Sequence, residues 1–140
     1  MKLCFNKKVG IGIQASDFIP RGTKILYYYG DVWNTTNAEE KGQLYHSHFL
    51  TVPGTGCSIN GSYEILFPED NIRAQCYDIP APLMSLTNSS RNYKTANCKM
   101  IIEQTSLKYA NYIWLDKTVC LVTTKDIVPN EELTWNYTYR

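Results

Sequence analysis

The sequence has almost no charge imbalance, with 14 Lys and Arg against 13 Asp and Glu and a formal net charge of +1. A surface that neutralises phosphates needs a clear cationic excess, so composition gives no nucleic-acid site. The Lys7-Lys8 pair reads as a solvated edge. Paired cysteine spacing is also missing. Cys4, Cys57, Cys76, Cys98 and Cys120 contain no C-x-x-C unit, which removes the usual pattern of a zinc site or a thioredoxin-like centre, and no metal is expected. They read as free, mostly buried thiols. No apolar run approaches a membrane span, and Met1 to Gly12 carries neither a continuous apolar stretch nor a small-residue cleavage site. The expectation is an intracellular chain with no membrane partner. On that reading the sequons at Asn34, Asn60, Asn88 and Asn136 arise by chance.

What the sequence does have is apolar and aromatic mass: 44% hydrophobic and 13% aromatic residues in 140 positions. That suits one globular domain with a real core. The oddest stretch is the last, Glu131-Glu132-Leu133-Thr134-Trp135-Asn136-Tyr137-Thr138-Tyr139. Chain ends are usually polar and frayed. One this rich in rings is either a buried final strand or the wall of a pocket that earlier segments build.

Upstream, Gly10-Ile11-Gly12 falls in an alternating small and β-branched segment, with the glycines marking close approach by a neighbouring strand or a ligand. Asp17-Phe18-Ile19-Pro20-Arg21-Gly22-Thr23 is a turn leading into a strand from Lys24 to Tyr29. A near-copy, Asp126-Ile127-Val128-Pro129-Asn130-Glu131-Glu132, puts Asn130 where the first has Gly22. The two similar corners are expected to come together from opposite ends of the chain. Asn37 to Tyr45 has helical composition, limited by Gly42. Residues 46 to 82 are punctuated by Pro and Gly and read as hairpins, with His46 and His48 as hairpin or surface residues. Strands are expected at Asn97 to Gln104, Tyr109 to Leu115 and Thr118 to Thr124. The fold class is therefore mostly β with short helices.

Four pieces stand in order: Gly10-Ile11-Gly12; Tyr28-Tyr29-Gly30-Asp31; Asn88-Ser89-Ser90 followed by Asn97-Cys98; and Glu131-Glu132-Leu133-Thr134-Trp135-Asn136-Tyr137. With Ile59-Asn60-Gly61 before the third, this order resembles the SET domain of protein lysine methyltransferases, whose motifs run G-x-G, Y-x-G, N-H-S-C-x-P-N and E-E-L-T-F-D-Y. The first two are weak alone, the last is strong, and the ordered set is specific. The resemblance covers about Val9 to Tyr139. It implies several small sheets with a C-terminal pseudoknot in a single domain, 1–140, divided into an N-terminal half 1–36, an insert 37–80 and a C-terminal half 81–140.

The resemblance also implies the chemistry: transfer of a methyl group from S-adenosylmethionine to a protein lysine, with a histone tail as the implied substrate and the nucleus as the implied location. Tyr137 and Tyr28 would be the catalytic residues. Ile11, Gly12, Asn88, Ser89 and Tyr137 would hold the cofactor, and Tyr28 and Trp135 would line the lysine channel. Such rings suit a displacement that requires alignment and desolvation of an amine. Taken alone, Tyr28 reads as a core ring, Asp31 as a strand-edge charge, and Cys98 and Cys120 as core thiols.

The sequence departs from the family pattern at Ser89, where histidine is usual, and at Asn136, where aspartate is usual. Asn97-Cys98 also arrives late, across Asn92 to Ala96. No cysteine-rich post-SET segment follows Tyr137, so another wall for the channel, such as a homodimer partner, is expected. Two other readings stand beside this one: a degenerate SET domain that binds peptide or cofactor without turnover, and a β-rich structural or interaction protein.

Overall fold

The structure is a computed structural model that describes residues 1–6, 10–40, 49–61, 84, 87–89 and 95–136. Its described part is mostly strand, in several small sheets, with the one short helix that composition allowed. The expected histidines, His46 and His48, and the later hairpins of the middle region lie outside the described residues.

The central sheet has β11 (Thr118–Thr123) between β3 (Lys24–Tyr27) and β8 (Cys98–Glu103), antiparallel to both. Every residue of β11 is buried, which its Val, Cys and Leu content favours and its position between two partners requires. Leu121 sits opposite both Leu26 and Met100. A second sheet has β6 (Cys57–Asn60) between β4 (Asp31–Asn34) and β5 (Phe49–Val52). Asp31 thus begins an edge strand, as expected. The turn between β5 and β6 uses Gly54 and Gly56 at φ 77° and 67°.

Three smaller pairings complete the frame. β1 (Lys2–Asn6) pairs with β2 (Gly10–Gln14), β9 (Leu107–Lys108) with β10 (Trp114–Leu115), and β7 (Asn88–Ser89) with β12 (Thr134–Trp135). Only the last is parallel among the described pairings, so it joins segments distant in sequence rather than closing a hairpin.

The two similar corners do meet. Ile19 and Ile127 exchange backbone hydrogen bonds at 2.8 Å each, and the Arg21 amide donates to the Asp126 carboxylate at 2.9 Å. Gly22 and Asn130 both take positive φ, 85° and 70°, so Asn130 does fill the left-handed position that Gly22 holds in the first copy. The core beneath them draws Ile13, Ile19, Leu26, Tyr28, Ile59, Leu121, Ile127, Leu133 and Trp135 into one cluster. Each such side chain contributes about 1.5–3 kcal/mol on burial.

Three expected boundaries are corrected. The helix α1 spans Thr35–Glu40 and starts before Asn37, because the Asn34 side chain caps it by accepting from the Asn37 amide at 3.2 Å. The segment from Tyr109 to Leu115 is not one strand. Its amides turn instead, with the Tyr112 N–H donating to Tyr109 at 2.9 Å and Tyr112 at φ 65°, so only Trp114–Leu115 is extended in a ladder. Finally, β3 ends at Tyr27, because Tyr28 to Gly30 crosses from the central sheet to β4.

Gly30 is required at that crossing. A Cβ there would run into the carbonyl oxygen of Asn60 and crowd the Gly61 backbone, neither of which can rotate away. Gly30→Ala is therefore expected to destabilise the protein by about 3 kcal/mol or more. Gly22→Ala, where φ is positive but space is open, should cost only about 1 kcal/mol. Urea unfolding of the two variants compares them directly, and equal losses would show that the Asn60 approach is not limiting.

Candidate functional site

The closing segment is placed by hydrogen bonds to β2 and to Asn97. The Leu133 amide donates to the Ile13 carbonyl at 2.8 Å, and the Ala15 amide to Glu131 at 2.9 Å. Glu132 forms a bridge with Gln14, the last residue of β2. On the other side, the buried Asn97 donates through Nδ2 to the Glu132 carbonyl at 2.8 Å and to Glu131 Oε2 at 2.9 Å. Its Oδ1 accepts from the Thr134 amide at 2.8 Å. One side-chain amide thus satisfies main-chain groups on both sides of Leu133.

This arrangement sets Thr134 opposite Asn88 and Trp135 opposite Ser89 in the parallel ladder. Two of the motifs are thereby paired, Asn88–Ser89 in β7 with Thr134–Trp135 in β12, and the Glu131–Leu133 stretch before β12 bonds to Ile13 and Ala15, which follow Gly12 in the chain. Gly12 is buried, and Ile11 pairs with Phe5 in the β1–β2 ladder. Tyr28 is 3% exposed and Trp135 2% exposed, both within the core cluster that holds Leu133. The Tyr28 amide donates to Val119 of β11 at 2.8 Å, which fixes where that residue leaves the central sheet. Tyr137 lies outside the described residues.

A cavity of about 570 Å³, within the usual range of small-molecule sites, opens beside Trp135 and Asn136. Cys98, Met100 and Ala96 give it a mostly apolar wall, Thr124 and Asn136 add polar groups, and Lys99 and Lys125 are its cationic members. Burial pushes the Cys98 thiol up to about 12. Cys120 is also raised, mainly by burial and then by the Glu103 charge, and Cys4 by burial and then Glu132. These thiols stay protonated near neutrality and are poor nucleophiles. Among the described residues, no group of three His, Cys, Asp or Glu side chains is gathered to hold a metal, and no helix is long and apolar enough to cross a membrane.

The family model for the SET domain matches residues 10–138. The chain belongs to the SET-domain family. Solved structures share the fold. ATXR5 in complex with a methylated histone H3.1 superposes with a TM-score of 0.64 at 21% identity, covering 99% of this chain and 56% of that one. The Chaetomium thermophilum polycomb repressive complex 2 gives 0.63 at 19% identity, covering 97% of this chain and 15% of that one. A further structure of that complex, autoinhibited and bound to S-adenosylmethionine, gives 0.63 at 18% identity over the same shares, 97% and 15%. The SET domain described here therefore spans little more than half of the ATXR5 chain and a small part of the polycomb chain. No curated protein matches the sequence.

Within this SET domain, Asn97 is the structural residue whose importance motif order alone did not specify. It was visible as part of the third motif, but the groups of Glu131, Glu132 and Thr134 that its amide pairs with lie more than thirty positions away in sequence. A second missed element is the β9–β10 hairpin. Its signal was the turn-prone Asn111 inside an aromatic run.

Asn97→Ala should lower stability by about 3 kcal/mol, since it leaves buried main-chain groups of the closing segment unpaired. A loss below about 1 kcal/mol in urea unfolding would mean that the segment is held by other contacts. The Cys98 thiol should react with a maleimide at pH 8 far more slowly than an exposed cysteine, with the rate rising as pH increases toward 12. Mass mapping of the modified cysteines would test this, and rapid labelling of Cys98 in the folded protein would refute it.

Proposed function

We propose that this SET domain transfers a methyl group from S-adenosylmethionine to a lysine side chain of a protein, with a histone tail as substrate and the nucleus as its place of action. The observation that carries the reading is the parallel pairing of Asn88–Ser89 with Thr134–Trp135, next to the β2 segment that contains Gly12. It brings distant motifs into one neighbourhood. The cavity of about 570 Å³ beside Trp135 and Asn136 is of small-molecule size, and of the residues assigned here its described lining includes Trp135 and neither Gly12 nor Tyr28.

In this reading Ile11, Gly12, Asn88 and Ser89 border the cofactor, with main-chain groups doing much of the holding. S-adenosylmethionine, when bound, supplies an electrophilic methyl group for in-line displacement. The chain's own task is to present a neutral amine along the line of attack. Tyr28 and Trp135 wall the lysine channel, and their burial keeps water away. Loss of water lowers the amine pKa and favours its neutral form, while the ring faces still tolerate the cation as it enters. Tyr137 orients the amine through its hydroxyl, and Tyr28 assists. No thiol nucleophile takes part, consistent with the protonated Cys98 and Cys120. We also propose that the domain pairs with a second copy of itself.

A second reading, a SET domain that binds without turnover, is favoured by Ser89, which stands where the family pattern has histidine. Intact-mass spectrometry of core histones, free and in nucleosomes, separates the two after incubation with protein and S-adenosylmethionine. Steps of one methyl mass are expected, and Tyr137→Phe should lower turnover at least about 100-fold while leaving thermal stability unchanged. Unchanged turnover in that variant would remove Tyr137 from the mechanism. Absence of any methyl step, together with cofactor binding by calorimetry, would select the silent domain.

A further inference from the structure

We propose that the β9–β10 hairpin is a positioning element of the site, in which Tyr109 and Asn111 fix the Tyr28–Val32 segment and so set the place of Tyr28. The consequence for methyl transfer rests on the function proposed above, whereas the positioning itself is a property of the fold.

The segment needs such support because it lies where one ladder has ended and the next has not begun. β3 stops at Tyr27 and β4 starts at Asp31. The Tyr28 amide is tied to β11, and Gly30 packs against the Asn60 carbonyl. The hairpin side supplies four further restraints. The Ala110 amide donates to the Gly30 carbonyl at 3.0 Å. Asn111 then acts toward β4 as a strand residue would, accepting from the Val32 amide at 2.9 Å and donating to the Val32 carbonyl at 3.0 Å. Finally, Tyr109 stacks on Tyr29, with ring centroids 5.9 Å apart and planes at 18°.

Tyr109 is itself well anchored. It is 1% exposed, and its hydroxyl donates to the Lys117 carbonyl at 3.1 Å, across the base of the hairpin. Burial raises the phenol to about 12, so it remains a donor through the physiological range. A hairpin that merely decorated the surface would have no reason to spend a buried ring and a side-chain amide on this one crossing. By contrast, Tyr112 in the turn and Trp114 in β10 are 78% and 63% exposed. The buried and bonded part of the hairpin is the part that faces residues 29 to 32.

The test uses the full chain with a fluorotyrosine probe at position 28, read by fluorine NMR, in the unaltered hairpin and in Asn111→Ala. Asn111 is only partly buried, so this variant should keep a cooperative melt. The expected result is a shifted or split fluorine resonance in Asn111→Ala and an unmoved one in the control Thr36→Ala on the exposed face of α1. Tyr109→Phe, which keeps the ring stack and removes only the bond to Lys117, should give a smaller shift. A resonance unmoved by Asn111→Ala in a folded protein overturns the proposal, whether or not the protein methylates anything.

Kinetics then read the consequence. Asn111→Ala should raise the KM for a lysine peptide and lower its kcat/KM about tenfold, with the KM for S-adenosylmethionine unchanged, because misplacement would affect the channel and not the cofactor side. A purely structural defect would instead lower the active fraction, reducing kcat with peptide KM unaltered. Failure of the unaltered protein to methylate would count against the proposed function, and the fluorine spectra would still decide the positioning.

Discussion

The Asn97 amide is the constraint on which the rest of this site depends. It stands just before β8, yet it pairs with Glu131, Glu132 and Thr134 from the far end of the described chain. A planar amide has separate donor and acceptor ends, so it can satisfy a carbonyl and an N–H that flank a single residue. Here that residue is Leu133, whose own amide reaches Ile13 of β2 and whose side chain is fully buried. The segment is therefore held from both sides before β12 pairs with β7. An apolar side chain of equal size would fill the space and leave the two main-chain groups unmatched, at a cost of about 1–3 kcal/mol each.

Local chemistry made some of this fold legible in the sequence. The two corners could be read because Pro20 and Pro129 restrict φ while Gly22 and Asn130 suit a left-handed position, and these preferences act within a few residues. The central strand Thr118–Thr123 was equally plain, since its composition suits burial on both faces. The order of the motifs then pointed to the family. Contacts made at a distance were not legible. The start of α1 turned on the Asn34 cap, and the break in the Tyr109 to Leu115 run turned on a positive φ at Tyr112, in a residue type that gives little warning of it. Of the candidate site, the motif order named the segments, whereas the β7–β12 pairing and the supports at Asn97 and Asn111 required the folded chain.

The site also lies where regular pairing is interrupted. Tyr28 to Gly30 crosses between sheets, after β3 ends and before β4 begins. Interrupted ladders leave main-chain groups available for other partners and let side chains point into a shared space. The cost is loss of the cooperative restraint that a long ladder provides. This chain offsets it with side-chain amides, Asn97 on the closing segment and Asn111 on β4, each imitating a peptide group. A glycine with no room for a Cβ and a stacked ring pair add shape to the same crossing.

That division between main-chain and side-chain restraint bears on Ser89. Its pairing with Trp135 is a register of main-chain partners, and a ladder of that kind is indifferent to which side chain occupies the position. The fold therefore tolerates serine where the family pattern has histidine, without any compensating change in β12. Asn97 is different, because there the side chain itself carries the restraint. A substitution at position 89 leaves the main-chain register with β12 in place, whereas one at position 97 removes the side-chain bonds to Glu131, Glu132 and Thr134.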